Sequence, residues 1–217
     1  LLVGCSTTPG KYIVPHLLAE FLRMHPHVQA SCYVMSRQNA LQLLSKGDVH
    51  LALASARDFS RDFEFHKFLS DAIALIVPLN HPWASRDGID PEELLDANFI
   101  LREEGCGTYN AVRDGLLGVG ISMDQLRTAL TLGNSEAIAL AVQEGIGVAF
   151  VSEMVVTRLV KDSVALVQVR GLDLSQDIYI GRHIHRPATA AQNAFWEYVT
   201  TTNNRPLREL EKTPLEA

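Results

Sequence analysis

Cysteine is scarce here, three among 217 residues. So low and odd a number argues against a disulfide framework and suits a reducing compartment. Basic residues are outnumbered, 19 Lys and Arg against 25 Asp and Glu, which leaves a net charge of −6. The chain therefore lacks the basic footprint with which a protein grips nucleic acid. No apolar run approaches the ~18–20 residues of a membrane-spanning helix, and no basic segment followed by an apolar stretch and cleavage site opens the chain. A Gly-x-Ser-x-Gly elbow, a Gly-Lys-Ser/Thr phosphate loop and a His-Glu-x-x-His helix are also missing, so the common signatures of hydrolases, nucleotidases and metalloproteases do not apply. What remains is a globular composition, 47% apolar and 20% charged.

In order, the chain alternates strands and helices. An apolar strand over 1–5 leads into Cys5-Ser6-Thr7-Thr8-Pro9-Gly10 and then a helix over 11–24, striped by Ile13, Val14, Leu17, Leu18, Phe21 and Leu22. Residues 28–34 read as a strand, Ser36 as the cap of a helix over 37–46 that stops at Gly47, and 49–54 as a buried strand ending at Ser55. This β-α-β-α-β order predicts a parallel sheet with crossover helices. In such sheets ligands lie beyond the carboxyl ends of strands. Ser6, Thr7 and Thr8 are thus expected on the same rim as Ser55.

A second series follows over 73–169. Residues 63–78 form a long strand-prone stretch, followed by a strand at 98–101, a loop at 102–108 and a helix at 109–117. A strand at 127–132, a helix at 136–144, a strand at 148–151 and a Ser152-capped helix at 153–160 come next. Strands at 164–169 and 177–183 and a helix at 188–202 close the pattern, and 203–217 shows little apolar periodicity. The fold class expected is α/β, with two lobes.

Three loops carry small hydroxyl or amide residues just before a helix: Ser6-Thr7-Thr8, Gly107-Thr108 and Asn134-Ser135. Each by itself is accounted for as an N-cap, worth about 1 kcal/mol to its helix. Three together, with Ser55, make a donor set suited to a small anion, because helix starts offer unpaired N–H groups and the positive dipole end. Arg102 could add a bidentate cation or pair with a neighbouring Glu.

The text of these segments resembles the effector-binding domain of LysR-type transcriptional regulators. The resemblance rests on STTPGKY at 6–12, LLSKGDVHLALAS at 43–55, NHPWA at 80–84, FILREEGCGT at 99–108 and GNSEAIALAVQEGIGVAFVS at 133–152, and it covers about 1–199. It implies a type 2 periplasmic-binding-protein-like fold of two Rossmann-like lobes with a cleft between them. Lobe I would comprise 1–70 plus 177–203, lobe II 71–176, and 204–217 a C-terminal tail. Effector contacts would fall on Ser6, Thr8, Ser55 and Thr108, supported by Thr7, Asn134 and Ser135. The winged helix-turn-helix that reads promoter DNA is absent from this sequence, and the start inside a strand without Met is what an excised domain would show. The resemblance further implies a cytoplasmic regulator that is not an enzyme and uses no cofactor or metal. Its partners would be a small anionic effector and a second copy paired through the effector domains along the helix at 11–24, with tetramers at full length. DNA would be met only through the missing domain, and no membrane is involved.

A solute-binding protein of a transporter is the competing reading and predicts an upstream signal peptide instead. Cys106 precedes a helix start, where thiolates are favoured. A peroxide-sensing branch of the family keeps a cysteine near this position and a resolving one about nine residues on. Here Asp114-Gly115-Leu116 stand there, so Cys106 reads as a plain loop residue. Cys5 and Cys32 lie in strand patterns and read as buried and inert. His183 and His185 would share a strand face, without a third metal ligand nearby.

Overall fold

The computed structural model describes residues 1–201; the tail expected over 204–217 and the end of the expected lobe I lie outside them. The chain divides into two compact units, Ser70–Gln176 and a discontinuous one made of Leu1–Leu69 with the chain from Asp177 onward.

In the discontinuous unit, the central strand β1 (Leu2–Ser6) pairs in parallel with β2 (Ser31–Met35) and β3 (Leu51–Ala54). The last long strand, β9 (Leu174–His183), runs antiparallel to β3, and β4 (Phe63–Pro78) lies beside β9. The division between units falls within β4 and within β9. Val3, Cys5 and all four residues of β3 are buried, which is why these short runs carry no polar alternation.

The helices of this unit differ from the expected pattern at one place. The sequence suggests a loop to Gly10 and one helix over 11–24, whereas helix α1 already spans Thr7–Tyr12 and a separate α2 spans Val14–Met24. Pro15 explains the break. It has no N–H to donate, and its ring would collide with the carbonyl four residues back, so a continuous helix cannot pass through it; at the second position of a new helix it is tolerated. The stripe reaches the core through Val14, Leu17 and Phe21, all fully buried. Phe21 meets Phe195 of α7 (Ala190–Thr200) edge-on, with ring centroids 5.0 Å apart. Helix α3 (Arg37–Lys46) is closed as expected. The Asn39 N–H donates to Ser36 Oγ at 3.2 Å, and Gly47 ends the helix at φ 87°, a conformation that a side chain would resist.

In the continuous unit, β5 (Asn98–Arg102) and β6 (Arg127–Leu132) pair in parallel, and a bridge joins Phe99 to Val148. Strands β7 (Ala149–Ser152) and β8 (Val164–Val167) pair antiparallel with the second half of β4. Helices α4 (Gly107–Gly118) and α5 (Ser135–Gln143) follow β5 and β6. The core gathers Leu75, Val77, Trp83, Phe99, Leu116 and Phe150. The helix expected over 153–160 is a single α-turn, α6 (Glu153–Val155), that widens into a π-helical turn over Val156–Val160. There the Thr157 hydroxyl donates back to the Glu153 carbonyl at 2.8 Å, a bond that competes with the backbone ladder.

One of the two strand cysteines departs from expectation. Cys5 is buried, but Cys32 is only half-buried, and their Sγ atoms lie 3.5 Å apart.

Candidate functional site

The discontinuous unit places its candidate residues at the carboxyl edge of neighbouring strands. Cys5 of β1 stands opposite Leu53 of β3, so Ser6, Thr7 and Thr8 follow one strand as Ser55 follows the other. Ser6 and Thr8 are buried, Thr7 and Ser55 half-buried. Ser6 occupies the N-cap position of α1 with extended backbone, yet its hydroxyl makes no capping bond. Simple capping therefore does not account for Ser6.

The continuous unit brings Arg102, Asn134 and Ser135 together because Arg102 ends β5 opposite Leu132, the last residue of β6. Arg102 is buried and committed. Its Nε and Nη2 donate to the two carboxylate oxygens of Glu103, each at 2.8 Å, and its Nη1 donates to Ser135 Oγ. Burial opposes the guanidinium charge, but the Glu103 carboxylate, with Cys106 and Glu136 adding to its effect, outweighs it and holds Arg102 above its ordinary value. Burial likewise opposes the Glu103 charge, and Arg102 still holds that carboxyl below its usual range. Arg102 is thus a neutralised fork that fixes a serine. Ser135, 1% exposed, accepts from Arg102 and keeps its own proton to donate. Asn134 caps α5 by accepting the Ala137 N–H at 3.0 Å, which leaves its amide nitrogen as a donor.

Thr108 lies on the first turn of α4, 3% exposed. The N-cap of α4 is Cys106, whose sulfur accepts the Tyr109 N–H at 3.3 Å, so the expected plain loop residue has a structural task. Thr108 Oγ1 accepts from Gln176 Nε2 at 3.4 Å, and the same nitrogen donates to Asp71 Oδ2 at 2.8 Å. Ser152 Oγ donates to the other Asp71 oxygen at 2.7 Å while its lone pairs accept the Met154 N–H. Burial pushes Asp71 up to about 6, against the two hydrogen bonds and with the Glu153 charge adding to the rise. Neither Asp71 nor Gln176 is among the sequence candidates. A lone carboxylate inside the apolar stretch of β4 was the available signal for Asp71; Gln176 offered none.

Among the described residues no group of three His, Cys, Asp or Glu side chains could hold a metal, and no helix is long and apolar enough to cross a membrane. His183 packs edge-on against Phe63, and its Nδ1 accepts the His185 N–H.

The sequence model of the LysR substrate binding domain matches residues 1–203. The chain belongs to that family. This LysR domain is 30% identical over 200 residues to an uncharacterised HTH-type transcriptional regulator of Methanocaldococcus jannaschii, covering 91% of this chain and 67% of that protein. Its fold is shared with the regulatory domain of CcmR from Synechocystis PCC6803, solved in complex with 2-PG. The TM-score there is 0.83 at 24% identity, over 94% of this chain and 98% of the other. The effector-binding domain of QuiR, solved in complex with shikimate, superposes with a TM-score of 0.81 at 19% identity, over 92% and 94% of the two chains. The chain is the effector-binding domain of a LysR-type regulator, with the α/β, periplasmic-binding-protein-like architecture of that family.

Proposed function

We propose that this domain senses a small anionic metabolite on behalf of a DNA-binding regulator. The ligand contacts are assigned to Ser6, Thr8, Ser55, Thr108, Asn134 and Ser135, with Thr7 as support. The observation that carries the reading is the state of Ser135: a buried hydroxyl at a helix start, its lone pair occupied by Arg102 and its proton still to be given. Arg102 in this reading orients Ser135 and does not meet the ligand. Neutral donors at helix starts suit a carboxylate, phosphate ester or sulfate, which they can hold without a free cation. That CcmR and QuiR domains of the same fold were solved with 2-PG and with shikimate supports a small-molecule effector.

The remaining properties belong to the same proposal. The chain spans about two thirds of the archaeal relative, and DNA is met through a winged helix-turn-helix outside this sequence. Two effector domains pair using α2, and the full-length protein is a cytoplasmic tetramer. Ligand binding is not followed by chemistry, and no cofactor or metal takes part. A ligand that favours one arrangement of the dimer changes the spacing of the attached DNA-binding units, by an amount set by its differential affinity.

The test is calorimetry on the domain with 2-PG, shikimate, phosphate and sulfate as probes, repeated on Thr8→Val and Thr108→Val. Loss of a hydrogen bond to a charged group, roughly 1.5–3 kcal/mol, predicts a tenfold or greater loss of affinity in each variant. Wild-type affinity in both would remove the assigned contacts.

A further inference from the structure

Two of the three cysteines touch each other. Cys5 and Cys32 sit on adjacent parallel strands, Cys32 opposite Val3 and Cys5 opposite Val34, so the two lie diagonally on one face of the β1–β2 pair. Their sulfurs are 3.5 Å apart. The same face is roofed by α1. A Cβ added at Gly10 would stand 2.8 Å from Val34 Cγ2 and 3.0 Å from Cys5 Cβ, so the helix can lie this low over the pair only because Gly10 has no side chain. Cys5 also directly precedes Ser6.

The two thiols are not equivalent. The two sulfurs share a hydrogen bond in which either thiol can donate; that contact pushes Cys5 up, with burial adding to the rise, and pulls Cys32 below its ordinary value against some burial. Cys32 is half-buried on β2, which stands at the end of the strand order and whose Ser31, Tyr33 and Val34 are exposed. One sulfur is thus half-exposed and the more easily ionised, while the other is buried beside it. A nucleophilic and a resolving cysteine need this division of labour.

We propose that Cys5 and Cys32 form a reversible disulfide, a redox-modification site beneath the turn of Ser6, Thr7 and Thr8. The oxidant is a hydroperoxide. The Cys32 thiolate attacks its distal oxygen, the O–O bond breaks, and the departing alkoxide or hydroxide takes up a proton, leaving Cys32 as a sulfenic acid. The Cys5 sulfur then attacks the Cys32 sulfur. The S–S bond forms, the S–O bond breaks, and the leaving hydroxide combines with the Cys5 proton as water. Two thiols lose two electrons and two protons, and the hydroperoxide is reduced to water and an alcohol, or to two waters from hydrogen peroxide. A dithiol reverses the step by exchange. Closing the sulfurs from 3.5 Å to the ~2.05 Å of a bond draws β1 and β2 together under α1 and so moves the turn of Ser6, Thr7 and Thr8.

Trypsin cleaves after Lys11, Arg23 and Arg37, so Cys5 and Cys32 fall on separate peptides. The domain is treated with stoichiometric hydrogen peroxide, alkylated without reductant, digested and read by mass spectrometry, in wild type and in Cys106→Ser. The expected result is a linked 1–11/24–37 peptide in both, with two fewer titratable thiols, reversed by dithiothreitol. Cys5→Ala should accumulate a dimedone-trapped sulfenic acid at Cys32, and Cys32→Ser, changed at a half-exposed position, should form none at Cys5. On oxidation, the amide resonances of Ser6, Thr7 and Thr8 should shift. Oxidation confined to Cys106, or over-oxidation of Cys32 without the linked peptide, overturns the proposal. A linked peptide with unmoved Ser6, Thr7 and Thr8 resonances overturns the coupling to the turn.

Discussion

The Gln176 carboxamide donates to Asp71 Oδ2 at 2.8 Å, joining residues 105 positions apart in sequence. Asp71 is the second residue of the continuous unit and Gln176 its last. The bond therefore ties the place where the chain enters this unit to the place where it leaves. Because the Asp71 carboxylate only accepts, it also decides which end of the Gln176 amide faces Thr108.

Asp71 makes the stability of the domain pH-dependent. Its folded carboxyl titrates near 6 against 3.8 ordinarily, so the folded state holds the proton more tightly than the unfolded chain. Stability from this group is complete below pH 4 and declines as the pH rises toward 6, by about 3 kcal/mol. Urea unfolding of wild type and Asp71→Asn between pH 4 and 7 should show the variant gaining relative stability as the pH rises. Parallel profiles would refute this.

Arg102 is not replaceable by lysine. An ammonium cannot reproduce two parallel bonds to Glu103 and a third to Ser135. Arg102→Lys should lower stability by about 1–3 kcal/mol, seen as a drop of several degrees in Tm. An unchanged melting curve would mean that the fork contributes nothing.

Thr108 separates ligand effects from folding effects. Thr108→Val strands one N–H of Gln176 and should cost about 1 kcal/mol, while Thr108→Ser keeps the acceptor and should be nearly neutral. Equal melting temperatures for the two variants would show that the 3.4 Å contact carries no stability.

Phe21→Ala removes a fully buried ring from its contact with Phe195 and should cost about 3–5 kcal/mol. Denaturant titration reads this directly. A loss under 1 kcal/mol would place Phe21 outside the cooperative core.

Local order determined much that could be read from the sequence. Apolar runs such as Leu51–Ala54, the Ser36 and Asn134 caps and the Gly47 stop depend on neighbours a few residues away, and each is found where its residues put it. The break at Ile13 was equally local, since Pro15 forbids a continuous helix, but the apolar stripe running through it masked the signal. The α/β class follows from the same short-range patterns taken in order, and the family from the resemblance of the ordered segments to LysR effector-binding domains, which the family match bears out. For the hydroxyls of the opening turn, Ser6 in particular, sequence suggested a cap, and only the structure showed that no capping bond is made. Tertiary structure alone decided the partners: Gln176 on Asp71, Arg102 on Ser135, Cys5 on Cys32. Each pairing spans 27 to 105 residues. It exists because strand register and burial bring the groups together, and a buried polar side chain must find a partner wherever the fold supplies one.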